Sequence, residues 1–90
     1  MSRQEDLAFI KMHYIAFGEA VLEKFKRQYD KKGLSFTNIS MERMCTKLTE
    51  EVGEVASSIF KSKSKNDTLN EIIDVTNVLL MMYIKLKEEK

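Results

Sequence analysis

The chain contains no proline, no tryptophan, one cysteine and three glycines in 90 residues. Without proline the commonest helix breaker is missing, and so few glycines leave little material for tight turns. The backbone is therefore free to run in long helices. A lone cysteine, Cys45, cannot close an internal disulfide and fits a reducing compartment. Charge of one sign is also lacking: 15 Lys and Arg stand against 14 Asp and Glu, for a formal net charge of +1. With no clustered basic excess there is no electrostatic case for nucleic-acid binding. The longest apolar run, Val78 to Ile84, covers seven residues, where a bilayer span needs roughly 20. Met1 to Asp6 offer no apolar signal-peptide core. The expectation is a soluble, cytoplasmic, all-α chain forming one domain over residues 1–90, with no membrane or nucleic-acid partner.

What is present reads as three helices. Ser2 and Glu5 have capping-box spacing at the start of the first. Leu7, Ile10, Tyr14, Phe17 and Val21 follow at spacings of three and four, Phe25 and Tyr29 extend the stripe, and Lys31-Lys32-Gly33 marks a stop. A second helix is expected from near Asn38 or Ser40 to about Lys61, with Met41, Met44, Cys45, Leu48, Val52, Val55 and Ile59 as its apolar stripe. A short loop carrying Lys61, Lys63 and Lys65 separates it from a third helix. That helix is expected to start around Asn66 to Thr68, Thr68 and Glu71 again having capping-box spacing, and to run to the basic end at Lys85, Lys87 and Lys90. From Ile72 to Ile84 only Asp74, Thr76 and Asn77 are polar, the pattern of a helix buried on most sides.

Two acidic patterns interrupt this scheme. Glu50, Glu51 and Glu54 lie on the second helix, and Glu71 and Asp74 on the third, with sixteen residues between the two groups. Spacings of three and four project side chains from one side of a helix. Glutamates on helices are commonly a solvated face, and Lys47, one turn before Glu51, would serve as an ordinary surface partner. Asp74 has no such explanation: it is a poor helix former among Ile72, Ile73, Val75 and Val78. If the two helices pack antiparallel, Glu51 and Glu54 face Glu71 and Asp74. Each like-charge pair about 5 Å apart would then repel by roughly 3 kcal/mol at an effective dielectric near 20. A hard divalent cation relieves that repulsion, and facing carboxylates in a helical bundle are a workable way to hold one. No His lies near either pattern, which argues against zinc and against a di-iron site.

In this arrangement the chain resembles the MazG-like branch of the all-α nucleoside triphosphate pyrophosphohydrolases. That family carries Glu-Glu-x-x-Glu on one helix and Glu-x-x-Asp on the next. Glu50-Glu51-x-x-Glu54 and Glu71-x-x-Asp74 match both motifs in order, and the resemblance covers about residues 41 to 84. It implies Mg²⁺-dependent cleavage, with Mn²⁺ as a substitute, between the α- and β-phosphates of an NTP or dNTP, in a housecleaning role. Glu51, Glu54, Glu71 and Asp74 would bind metal. Glu50 would be an outer or second-metal ligand or orient the attacking water, so that Glu50 and Glu51 form the catalytic pair. Where relatives often carry a Trp just past the first acidic helix, Phe60 is the nearest counterpart.

Lys47 is a candidate phosphate contact. Asn77 is a candidate for orienting a ligand carboxylate, for meeting a sugar hydroxyl or for a helix–helix hydrogen bond. His13 reads as a surface or interface residue, and Met41, Met44, Met81 and Met82 as core or interface filling. One trio of helices cannot easily cover the third helix. A homodimer or dimer of dimers is therefore expected, with a four-helix core made by the second and third helices of two copies. Within the hydrolase reading, phosphoribosyl-ATP and a dUTP-like nucleotide remain open substrates. The alternatives are a catalytically silent module binding nucleotide or protein, and a plain oligomerisation bundle.

Overall fold

The computed structural model describes residues 2–89; Met1, and Lys90 of the expected basic end, lie outside the described residues. The protein is all-α: α1 (Arg3–Lys32), a short 3₁₀ turn (Ser35–Asn38), α2 (Met41–Phe60) and α3 (Lys65–Lys87). At about 1.5 Å per residue, the 30 residues of α1 account for the 46 Å long axis.

Helix ends follow local capping chemistry. The Ser2 hydroxyl accepts from the Glu5 N–H at 3.1 Å while Glu5 Oε1 accepts from the Ser2 N–H at 3.2 Å. That reciprocal bonding, the Ser2 side-chain bond first, holds the Glu5 carboxyl below its ordinary value of 4.5. Gly33 ends α1 at φ 58°, a backbone that favours glycine, and its N–H donates to the Tyr29 carbonyl at 2.7 Å. Ser40 caps α2 by accepting from the Arg43 N–H at 3.2 Å. α3 starts earlier than expected. Ser64, not Thr68, is the cap and accepts from the Asp67 N–H at 3.1 Å. Both serine and threonine have the required spacing, but the earlier cap adds just over a turn of helix and releases Thr68 for the helix interface. There the Ser58 and Thr68 hydroxyls meet at 2.6 Å.

α3 is the central element, packed against both α1 and α2. Ser58 meets Thr68 next to the connecting loop and Glu51 meets Asp74 further along, so α2 and α3 are antiparallel. Lys24 meets Asp74, while Phe25 and Leu34 share a cavity with Ile84, so α1 runs parallel to α3. Lys85 ties the 3₁₀ turn down by donating to the Thr37 carbonyl at 2.7 Å.

The buried apolar core is small: Val21, Phe36, Met44 and Val78 among the described residues. The expected stripe of α1 is buried only at Val21, with Phe25 half-buried; Leu7, Ile10, Tyr14 and Phe17 are exposed, because α3 starts level with about residue 15 of α1 and leaves the turns before it uncovered. α3 is also open on one side, at Ile72, Leu79, Tyr83 and Leu86. The accessible surface is 7279 Å² for 10.5 kDa, against about 5,400 Å² for a compact monomer of that mass. No described helix is long and apolar enough to cross a membrane.

Candidate functional site

Met44, Glu51 and Ser58 are the buried residues of α2. Their spacing of seven keeps one seam facing α3. A glutamate therefore occupies a seam position where the packing rule asks for an apolar side chain. Across the interface α3 presents Glu71 and Asp74, both half-buried. One carboxylate oxygen from each of Glu51, Glu71 and Asp74 lies within 4.8 Å of the other two.

Two lysines share this charge. Lys24 reaches from α1 to Asp74 Oδ1, and Lys47, one turn before Glu51, lies 3.1 Å from Glu51 Oε1. The hydrogen bond to Glu51, then the attraction of the same carboxylate, raise the Lys47 ammonium above its ordinary 10.5. Three carboxylates against two ammoniums leave one negative charge over. Glu51 Oε2 and Glu71 Oε2 are buried with no hydrogen-bond partner. Leaving a buried polar atom unpaired costs about 1–3 kcal/mol, more when it is charged. The set is all hard oxygen with no His or Cys, so the residues present fit a hard divalent cation, the class to which Mg²⁺, Mn²⁺ and Ca²⁺ belong.

Glu51 and Asp74 also line a cavity of about 400 Å³, within the usual range of small-ligand sites, about 300–1,000 Å³. Arg43 and Lys47 border it from α2, Asn77 and Val78 from α3, and Phe25 and Tyr29 from α1. Asn77 is 1% exposed, and neither its amide nitrogen nor its amide oxygen has a partner. The cavity wall thus carries both carboxylates and cations, with Lys47 already paired to Glu51 and Arg43 one turn before it.

No protein-family model, curated protein or solved structure matches this chain. The site therefore rests on its own geometry.

Of the residues singled out from the sequence, Glu51, Glu71 and Asp74 come together, and Lys47 and Asn77 border the same cavity. Glu50 and Glu54 do not join the group; both are exposed. They lie about 100° and 60° round α2 from Glu51, on the same side of it, which turns them from the seam towards water. Phe60 is 85% exposed and His13 packs edge-on against Phe9 at 4.6 Å. Lys61 and Lys63 are solvated, as a basic loop should be. Sequence reasoning missed Lys24, which stands 50 positions before Asp74 on a different helix, and Arg43, which only its i, i+4 spacing from Lys47 could have flagged.

Proposed function

We propose that the chain is a Mg²⁺-dependent nucleoside triphosphate pyrophosphohydrolase of the MazG-like kind, releasing a nucleoside monophosphate and pyrophosphate. The observation that carries this reading is the trio Glu51, Glu71 and Asp74, with two orphaned oxygens, of which Glu51 and Asp74 line a cavity that also presents Arg43 and Lys47. A polyphosphate arriving with divalent cations matches a wall that carries both carboxylates and cations. When bound, such an ion neutralises phosphate charge and lowers the pKa of coordinated water.

In this reading Glu51, Glu71 and Asp74 hold the metal, and Glu54, one turn beyond Glu51, completes the set as its side chain swings in. Glu50 orients the attacking water. Lys47 and Arg43 take the phosphates, Arg43 through its planar fork of donors.

The working form is proposed to be a homodimer. Val52, Val55, Ala56 and Ile59 of α2 line an apolar groove with Ile72 and Val75 of α3. The surface in excess of a compact monomer, roughly 1,900 Å², is of the size an obligate dimer interface removes from each partner. A four-helix core from α2 and α3 of two copies would bury that groove.

One observation favours a second reading. Lys24 and Lys47 already neutralise two of the three carboxylates, as they would in a silent helical module. Pyrophosphate release over a panel of NTPs and dNTPs, with and without Mg²⁺, separates the two. Turnover that vanishes in Asp74→Asn supports the hydrolase; no turnover and no Mg²⁺-dependent rise in Tm leaves the module.

A further inference from the structure

The cavity extends well past the carboxylates, and its far part is lined by aromatic and apolar side chains together with Lys32. Phe25 and Tyr29, one turn apart on α1, line it in front of buried Phe36, which meets the Phe25 ring edge-on at 5.9 Å. Tyr29 keeps 53% of its surface exposed, so its ring face is available to a ligand. Asn77 follows Asp74 by three residues and so lies about 4.5 Å further along α3. Its amide is sealed from solvent with both polar atoms unpaired. A leucine, with the same branching and the same number of side-chain heavy atoms, would leave no polar atom unpaired there, so packing does not account for the amide.

We infer that Asn77 reads the edge of a nucleobase, stacked on Tyr29 or Phe25, and that it sets which base the site prefers. The inference rests on the nucleotide reading above. A side-chain amide offers one donor and one acceptor side by side, and base edges carry the matching pair. A flat ring also gains by stacking on an aromatic side chain. With the base at this end, the phosphates extend towards Arg43, Lys47 and the carboxylates. An inorganic polyphosphate would engage only the charged part of the wall.

The test uses the full chain with Mg²⁺ and α,β-methylene nucleotide analogues of the common bases, which bind without being cleaved. Inorganic tripolyphosphate serves as the base-free probe. Titration calorimetry compares wild type with Asn77→Leu and, should that variant fold poorly, Asn77→Ser. The wild type is expected to favour one base by about tenfold, the worth of a single well-made hydrogen bond or slightly more. Either variant should collapse that preference while tripolyphosphate affinity stays within about twofold, and Asn77→Leu should raise the Tm of the ligand-free protein. Equal affinity of the wild type for all bases would overturn the inference, as would an unchanged ranking in the variants. So would a parallel loss of tripolyphosphate or Mg²⁺ affinity, because the amide would then be orienting a carboxylate. Base selectivity without pyrophosphate release from natural nucleotides would sink the hydrolase reading and leave this one standing.

Discussion

Lys24 of α1 and Asp74 of α3 form an ion pair in which the side chains are only 29% and 26% exposed. The pair fastens the outer helix to the central one at the position where carboxylates crowd together. Removing the ammonium should therefore have two opposite effects. In metal-free buffer Lys24→Met should lose about 1 kcal/mol, or roughly 4–8 °C in Tm, because Asp74 is left facing Glu51 and Glu71. Divalent-ion affinity should rise, since a competing cation is gone. Thermal unfolding across a Mg²⁺ titration reads both effects, and a variant less stable at every Mg²⁺ concentration by the same amount would refute the competition.

The three clustered carboxylates should behave as a unit, apart from Glu50. Glu51→Gln, Glu71→Gln or Asp74→Asn should each abolish the Mg²⁺-dependent rise in Tm, and Glu71→Gln, which breaks neither lysine pair, should also raise Tm in metal-free buffer by removing one of three mutually repelling charges. Glu50→Gln, outside the group and exposed, should leave the Mg²⁺ response intact within about twofold in apparent affinity. Loss of the Mg²⁺ response in Glu50→Gln alone would mean that the ion sits elsewhere.

The raised pKa of Lys47 sets a pH window. A group whose pKa rises on folding holds its proton more tightly in the folded chain, so its contribution is complete below the unfolded value of 10.5 and fades as pH climbs through the folded one. The difference in urea midpoint between wild type and Lys47→Met should be constant from neutral pH to about 9.5 and shrink towards zero above about 10.5. The effect will be small, about 0.3–0.5 kcal/mol, as befits an exposed i, i+4 pair. A difference that persists unchanged at the alkaline end would assign it to packing of the lysine stem.

Leu79, 47% exposed on the open side of α3, tests association. Leu79→Glu should give a monomer by sedimentation at micromolar concentration, with reduced helicity, since so small a core is poorly stable alone. A wild type already monomeric in the same experiment would rule out the four-helix dimer.

Helix ends were largely legible before any tertiary information, because capping is local. Ser2, Gly33 and Ser40 act within a few residues of themselves, and each does what its spacing implies. The start of α3 was misread for an equally physical reason. Ser64 and Thr68 are both competent caps by spacing; Ser64 takes the role, and the Thr68 hydroxyl meets Ser58 of another helix, a contact no local spacing encodes. The acids were legible as two patterns of helical spacing; which of them would meet was not. Glu51, at the edge of the apolar stripe, and Glu54, one step further round, were both expected to face α3; the seam at Met44, Glu51 and Ser58 turns one inward and leaves the other in water.

Composition and periodicity by themselves determined an all-helical chain with a break at Gly33, another near Lys61, and carboxylates on two successive helices. Those properties depend on backbone propensity and on contacts a turn or less apart. Only the tertiary arrangement decided that Lys24 crosses to Asp74, that Arg43 and Asn77 share one cavity with Glu51, and that half of α1 stays uncovered. Such pairings join residues separated by tens of positions. They are set by how three helices rotate about one another to bury the little apolar surface they can, a global quantity that no local window of residues encodes.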